Sequence, residues 1–291
     1  FKIVVVSAAL NDRVVQLSDT FDCQHGRFHF AGRVLHDHES YGVLTVEQII
    51  TKSSNIGAAM IGIKLGESRL YDYIHNYGLG TRTGLPLPGE IGGIVHPVKK
   101  WSKVSIAQIP MGQGVAVTSL QMMMAMCAIA NKGVLMRPML VDRLEDRDHV
   151  LVAKYSPQRV GRVISEAAAE QMVTALKTVV SPEGTAPKAA LPHYTVAGKT
   201  GTAQKSGGPE GYLKGKYFAS FIGFFPADNP ELCISVVMDE PKHGYYGGQI
   251  AAPVFKQIAE GAANYLNIRP EDGEAAPVPS TVAAPLDSRT L

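Results

Sequence analysis

Val196-Ala-Gly-Lys199-Thr200-Gly201-Thr202-Ala-Gln204 is the stretch on which the reading of this chain turns. It is a short β-like run that carries a lysine, a hydroxyl and a glycine. Such a strand offers a cation, a hydrogen-bond donor and closely approachable backbone N–H groups. That set suits a substrate carboxylate together with a developing oxyanion. Gly201 matters in this reading because a side chain there would keep a substrate backbone away. Around it, residues 194–202, 217–225 and 232–239 form three β-like runs separated by turn residues, as in an antiparallel meander. Helical spacing returns over residues 249–266.

Upstream of this cluster the texture is helical. Residues 2–10 are apolar and predict a buried helix. Thr45-Val-Glu-Gln48 and Thr118-Ser-Leu-Gln121 are capping-box patterns that open helices over 46–52 and 118–131. A second apolar stretch, 56–65, ends at Gly66, and Leu70, Tyr73, Ile74 and Tyr77 follow at helical spacing. Ser165 caps a helix over 166–180. Residues 78–97 are turn-rich and predict a surface loop. Met122, Met123, Met124 and Met126 look like a binding face but read better as fillers of irregular core gaps. Helices first, then strands, then a last helix predict a mixed sheet with helices on its faces. Residues 267–291, rich in Pro, Ala and acidic groups, predict a disordered tail after a single domain over 1–266.

Composition narrows the classes. The chain has 291 residues, 45% hydrophobic and 19% charged, ordinary globular usage. A net charge of +2 gives no reason to expect nucleic-acid binding. No apolar run reaches the about 18 residues of a membrane span. Cys23, Cys127 and Cys233 give no disulfide framework, and Cys127 and Cys233 read as inert core residues.

Two further places could carry chemistry. Ser53-Ser54-Asn55 lies at a break between two helical stretches. Ser53 and Asn55 can both face a cleft if the backbone turns there; the alternative is an ordinary helix cap. Lys2 opens an apolar helix. Buried near a site, its amine would lose proton affinity and could act as a base; on the surface it would merely snorkel.

Together these residues resemble the serine acyl-transfer set Ser-x-x-Lys, Ser-x-Asn and Lys-Thr-Gly. Phe1-Lys2-Ile3-Val4-Val5 looks like the continuation of a Ser-Thr-Phe-Lys helix start. With residues 50–57, 111–118 and 196–204, it is similar to the transpeptidase domain of class B penicillin-binding proteins over about residues 1–266. The Met111-Gly-Gln-Gly wording resembles the division branch more than the elongation branch. The resemblance implies a penicillin-binding, serine β-lactamase-like α/β fold of α+β type, an antiparallel sheet flanked by helices. It also implies that the nucleophilic serine, two strands of the sheet and the first helix lie upstream of Phe1.

In function, the resemblance implies a D,D-transpeptidase that cross-links peptidoglycan stem peptides ending in D-Ala-D-Ala and is acylated by β-lactams. Lys2, Ser53 and Asn55 would be catalytic. Lys199 and Thr200 would bind the terminal carboxylate, with Gly201 beside them and the Thr202 N–H in the oxyanion hole. No metal or organic cofactor is implied. An upstream membrane anchor, an extracytoplasmic location, division-complex membrane proteins and a glycosyltransferase are. An elongation-type enzyme, a penicillin-sensing receptor domain and a serine β-lactamase share these motifs.

A competing reading concerns Cys23, His25, His29, His36, Asp37 and His38, whose types invite zinc. Their spacing matches no standard ligand set, and solvated loop histidines are the preferred reading.

Overall fold

The computed structural model describes residues 1–208 and 211–273. The chain opens with α1 (Lys2–Asn11) and four short strands, β1 (Thr20–Asp22), β2 (Arg27–Phe30), β3 (Arg33–His36) and β4 (Val43–Thr45). Helices α2 (Val46–Lys52), α3 (Asn55–Leu65), α4 (Glu67–Asn76), α5 (Ser105–Gln108) and α6 (Ser119–Ala130) follow. Next come β5 (Val134–Met136), β6 (Arg143–Glu145), β7 (Leu151–Lys154) and β8 (Arg159–Arg162), then α7 (Glu166–Thr178). The chain then runs through β9 (Ala197–Ser206), β10 (Tyr212–Phe225) and β11 (Leu232–Asp239) into α8 (Gly247–Leu266).

A helix apolar on every side is stable only when surrounded. α1 meets that condition: residues 3–10 are all buried, and α3, α4 and α7 pack around the helix. Its one internal hydroxyl, Ser7, is satisfied by the Val4 carbonyl at 3.1 Å and by the Tyr77 hydroxyl at 2.7 Å. α3 crosses close to α2 because Gly57 has no side chain; a Cβ there would lie 2.4 Å from Ile49 Cγ1.

The main sheet is the expected meander, in the order β11-β10-β9 and antiparallel throughout. Every strand pair among the described residues is antiparallel, so the sheet is not mixed; consecutive strands joined by short turns cannot run parallel. Register places Ile222 opposite Lys199, Phe221 opposite Thr200 and Ala219 opposite Thr202. α8 covers one face, with the Phe255 ring edge-on to Phe221 at 4.8 Å. β9 is the outer strand, and an outer strand leaves alternate backbone groups without a sheet partner.

Both capping boxes form, at Thr45–Gln48 and Thr118–Gln121. The methionine run lies inward: Met126 is buried, and Met122 and Met124 pack against the core. Three expectations need correction. β9 and β10 reach further than predicted, to Ser206 and back to Tyr212, because their far ends pair with each other beyond the core. The ribbons β5–β8 and β6–β7 were not expected; β6, β7 and β8 are mostly exposed and lack the buried alternation that reveals a strand in sequence, and β5 is only three residues long. The predicted tail begins too early. Ile268 is 2% exposed, its carbonyl accepts from the Tyr194 hydroxyl at 2.8 Å, and Glu271 accepts from the Thr195 hydroxyl. Residues 274–291 lie outside the described residues.

Cys127 and Cys233 are half-buried rather than fully buried core residues. The neighbouring Cys233 lowers the pKa of Cys127, while Cys127 and burial raise that of Cys233. Among the described residues, no helix is long and apolar enough to cross a membrane.

Candidate active site

α2 stops at Ser53, whose φ of 58° lies in the left-handed region. A non-glycine residue there is strained, and such strain collects at functional turns. The reversal lets a new helix start at once: Ser54 caps α3, its hydroxyl accepting from the Gly57 N–H at 2.9 Å. Ser54 does the capping, which leaves the flanking Ser53 and Asn55 side chains free of that task. The turn sets Asn55 opposite the first residue of α1. Lys2 Nζ donates to Asn55 Oδ1 at 2.8 Å.

Burial makes Lys2 a poor cation. Desolvation lowers its pKa to about 8, and the negative charge of Asp37 offsets part of that effect. Lys199 reaches the same region from β9 and is 7% exposed. Desolvation holds its pKa well below the ordinary lysine value, and the Lys2 charge lowers it further. Lys199 Nζ donates to Thr200 Oγ1 at 3.2 Å, and the Thr200 hydroxyl pairs with that of Thr185 at 2.9 Å. Thr202 Oγ1 accepts from the Gly247 N–H at 3.3 Å, which ties β9 to the start of α8.

Gly201 also has a neighbour within the sheet. A Cβ there would lie 2.5 Å from Ser220 Oγ, on the neighbouring strand. The contact is with a rotatable side chain. Close approaches to backbone within the protein are found at Gly247 and Gly248, whose Cβ atoms would lie 2.1 Å from the Ser220 carbonyl oxygen and 1.8 Å from that of Thr185.

The residue that sequence reasoning misplaced is Asp37, weighed only as a zinc ligand. It accepts from the Ser54 hydroxyl at 2.7 Å, from the Asn55 N–H and from the Ile56 N–H at 3.1 Å. Its neighbour His36 accepts from Asn55 Nδ2 at 3.0 Å through its carbonyl. Cys23 is buried against the Ser54 hydroxyl at 3.5 Å. His38 stacks on Tyr246 at 5.4 Å, and Tyr246 adjoins Tyr245, which stacks on Tyr217 at 4.5 Å. These rings run on from Tyr246, the residue before Gly247, whose N–H bonds Thr202. No group of three or more potential metal-ligating side chains assembles among the described residues.

Two amines of depressed proton affinity, an amide and a run of hydroxyls thus converge at an exposed strand edge. The set can pass a proton between nitrogen and oxygen, and it can hold a carboxylate. The sequence profile of the penicillin binding protein transpeptidase domain matches residues 1–260. The chain belongs to that family.

Within it, the class B assignment made from the motifs stands. Stage V sporulation protein D of Bacillus subtilis (strain 168) is 35% identical over 278 residues, 94% of this chain and 43% of that protein. Peptidoglycan D,D-transpeptidase FtsI of Escherichia coli (strain K12) is 33% identical over 271 residues, 93% of this chain and 44% of that one. The chain thus spans less than half the length of these curated relatives. Penicillin-binding protein 3 of Mycobacterium tuberculosis, solved with ampicillin, superposes with a TM-score of 0.85 at 35% identity, covering 96% of this chain and 63% of that one. The transpeptidase domain of penicillin-binding protein 3 from Burkholderia pseudomallei gives 0.82 at 35% identity, covering 93% and 80%.

Proposed function

We propose that this domain is the catalytic part of a serine-type D,D-transpeptidase that cross-links peptidoglycan stem peptides during division. The observation that carries the reading is the hydrogen bond from Lys2 to Asn55, with buried Lys199 facing the same space. The relatives named peptidoglycan D,D-transpeptidase, and the ampicillin complex of a related domain, support it.

The proposed nucleophile is a serine three positions before Lys2, two before Phe1. Its hydroxyl oxygen attacks the carbonyl carbon between the last two D-alanines, and its proton passes to the Lys2 amine. The C–N bond breaks as the departing D-Ala nitrogen takes up a proton, through Ser53 and Asn55. An ester to the serine remains. The amine of a second stem peptide then attacks that ester, forms the cross-link and frees the serine. Lys199 and Thr200 hold the terminal carboxylate, and the Thr202 N–H supports the developing oxyanion. A β-lactam would acylate the same serine.

The rest of the reading concerns the setting. An upstream membrane anchor would place the domain outside the cytoplasmic membrane. Its partners there would be division-complex membrane proteins and a glycosyltransferase that supplies glycan strands. The Met111-Gly-Gln-Gly sequence and the likeness to FtsI support the division role.

Incubating the intact protein with a fluorescent penicillin tests the chemistry. A covalent label that survives denaturation, and is lost on Ser→Ala at the upstream position, is expected. An unlabelled protein, or a label indifferent to that substitution, rejects the reading.

A further inference from the structure

Asn55 can present either end of its amide to Lys2, and the difference is chemical. The oxygen accepts a hydrogen bond from the amine and leaves the nitrogen lone pair or the ammonium protons in place. The NH2 group would instead compete for that lone pair. In the structure the choice is made by a segment outside the three motifs. Asn55 Nδ2 is committed to the His36 carbonyl at 3.0 Å, so Oδ1 is the end left for Lys2.

The next residue holds the turn itself. The first three N–H groups of α3 belong to Asn55, Ile56 and Gly57. Ser54 satisfies only the last, at 2.9 Å. Asp37 satisfies the other two and also fixes the Ser54 hydroxyl at 2.7 Å. A carboxylate at a helix N-terminus is a stabilising arrangement in its own right. Here it is also the anion whose charge acts on Lys2. The other charge close by is positive: Lys199 on β9, which senses Lys2.

We propose that Asp37 is a positioning residue for the acyl-transfer reaction: with the His36 carbonyl it fixes the Asn55 amide oxygen toward Lys2, and its carboxylate supplies the negative charge that balances the lysines of the site. The inference rests on the transpeptidase reading and deepens it. It predicts two separable effects of losing the carboxylate. Misplacing the turn lowers the maximal acylation rate. Removing the anion lets burial depress the proton affinity of Lys2 further, so its basic form persists to lower pH.

The experiment is the rate of acylation of the intact protein by a fluorescent penicillin, followed from about pH 6 to about pH 10, for wild type, Asp37→Asn and Asp37→Glu, with thermal melting of each. For Asp37→Asn, the plateau is expected to fall about tenfold and the acid limb to move about one unit to lower pH. Asp37→Glu restores the charge without the geometry, so its limb stays with wild type while its plateau falls. An Asp37→Asn limb that coincides with wild type, even with a lowered melting temperature, makes Asp37 a plain helix cap and overturns the proposal. If Asp37→Asn does not fold, a displaced limb in Asp37→Glu overturns it instead. A wild-type protein that takes no label at any pH rejects the transpeptidase reading, and this inference with it.

Discussion

Lys2 and Asn55 are separated by 53 positions in the chain and joined by one hydrogen bond of 2.8 Å. The bond exists because two local events coincide: α1 starts at Lys2, and the left-handed Ser53 turns α2 into α3 at the point where Asn55 can meet it. Neither event involves the other's sequence. The site is therefore made by packing, and its chemistry follows from how dry that packing is.

The dryness sets a pH dependence. A general base must be unprotonated, and burial brings the Lys2 pKa down to about 8. Acylation of the intact protein by a penicillin is therefore expected to rise tenfold per unit at low pH and level off above about pH 8. Lys2→Arg keeps a cation of similar reach but cannot release its proton. It should reduce acylation about a thousandfold while leaving the far-ultraviolet circular dichroism of the domain intact. A rate that does not change with pH would remove Lys2 from the role of base.

Asn55 offers the opposite sign. Asn55→Asp sets a carboxylate against the Lys2 amine, which favours the charged form of the lysine. The acid limb should then move to higher pH, where the wild type has already reached its plateau. Asn55→Ala removes the acceptor without adding charge, so it should lower the plateau without moving the limb upward. Measuring both variants over the same pH range separates an electrostatic contact from a merely spatial one.

Much of this arrangement was legible in the sequence, for reasons that differ by element. The meander and the capped helices carry local signals: alternation and turn residues for the strands, and Thr45 with Gln48 or Thr118 with Gln121 for the helices. Lys2, Ser53, Asn55 and Lys199 to Thr202 could be nominated because their spacing resembles a known set. The role of Asp37 could not be read, because nothing local announces a carboxylate that caps a helix eighteen positions away. Its neighbours in the sequence, four histidines and a cysteine, raised only a metal reading, which gave way to solvated loop histidines. The β6–β7 ribbon escaped for the opposite reason: its apolar residues face solvent, where pattern carries little information.

The C-terminal boundary of the domain yields a stability test. Ile268 is buried, and Glu271 bonds to Thr195 just before β9, so this short segment belongs to the fold that carries Lys199. Ile268→Ala should lower the unfolding free energy by about 2–4 kcal/mol, as expected for a buried aliphatic truncated to alanine. Glu271→Gln should cost less, because the exposed pair is screened by water. Urea denaturation of each variant reads both values. An Ile268→Ala protein as stable as wild type would place the end of the domain back at Leu266.

Glycine substitutions distinguish seats from approaches. At Gly248 a methyl group would lie 1.8 Å from the Thr185 carbonyl oxygen, which the backbone cannot absorb without moving α8 off the sheet. Thr185 also bonds the Thr200 hydroxyl, so the displacement would reach the strand that carries Lys199. Gly248→Ala should therefore fail to fold or melt far below wild type. At Gly201 the added methyl meets Ser220 Oγ at 2.5 Å, and a serine hydroxyl can rotate away. Gly201→Ala should fold with a stability within about 1 kcal/mol of wild type, as volume changes with room to relax usually do. If the bare backbone at Gly201 serves substrate approach, the folded variant loses penicillin acylation. If it serves only the neighbouring strand, acylation by Gly201→Ala with Ser220→Ala, which removes the clashing hydroxyl, returns to the wild-type rate.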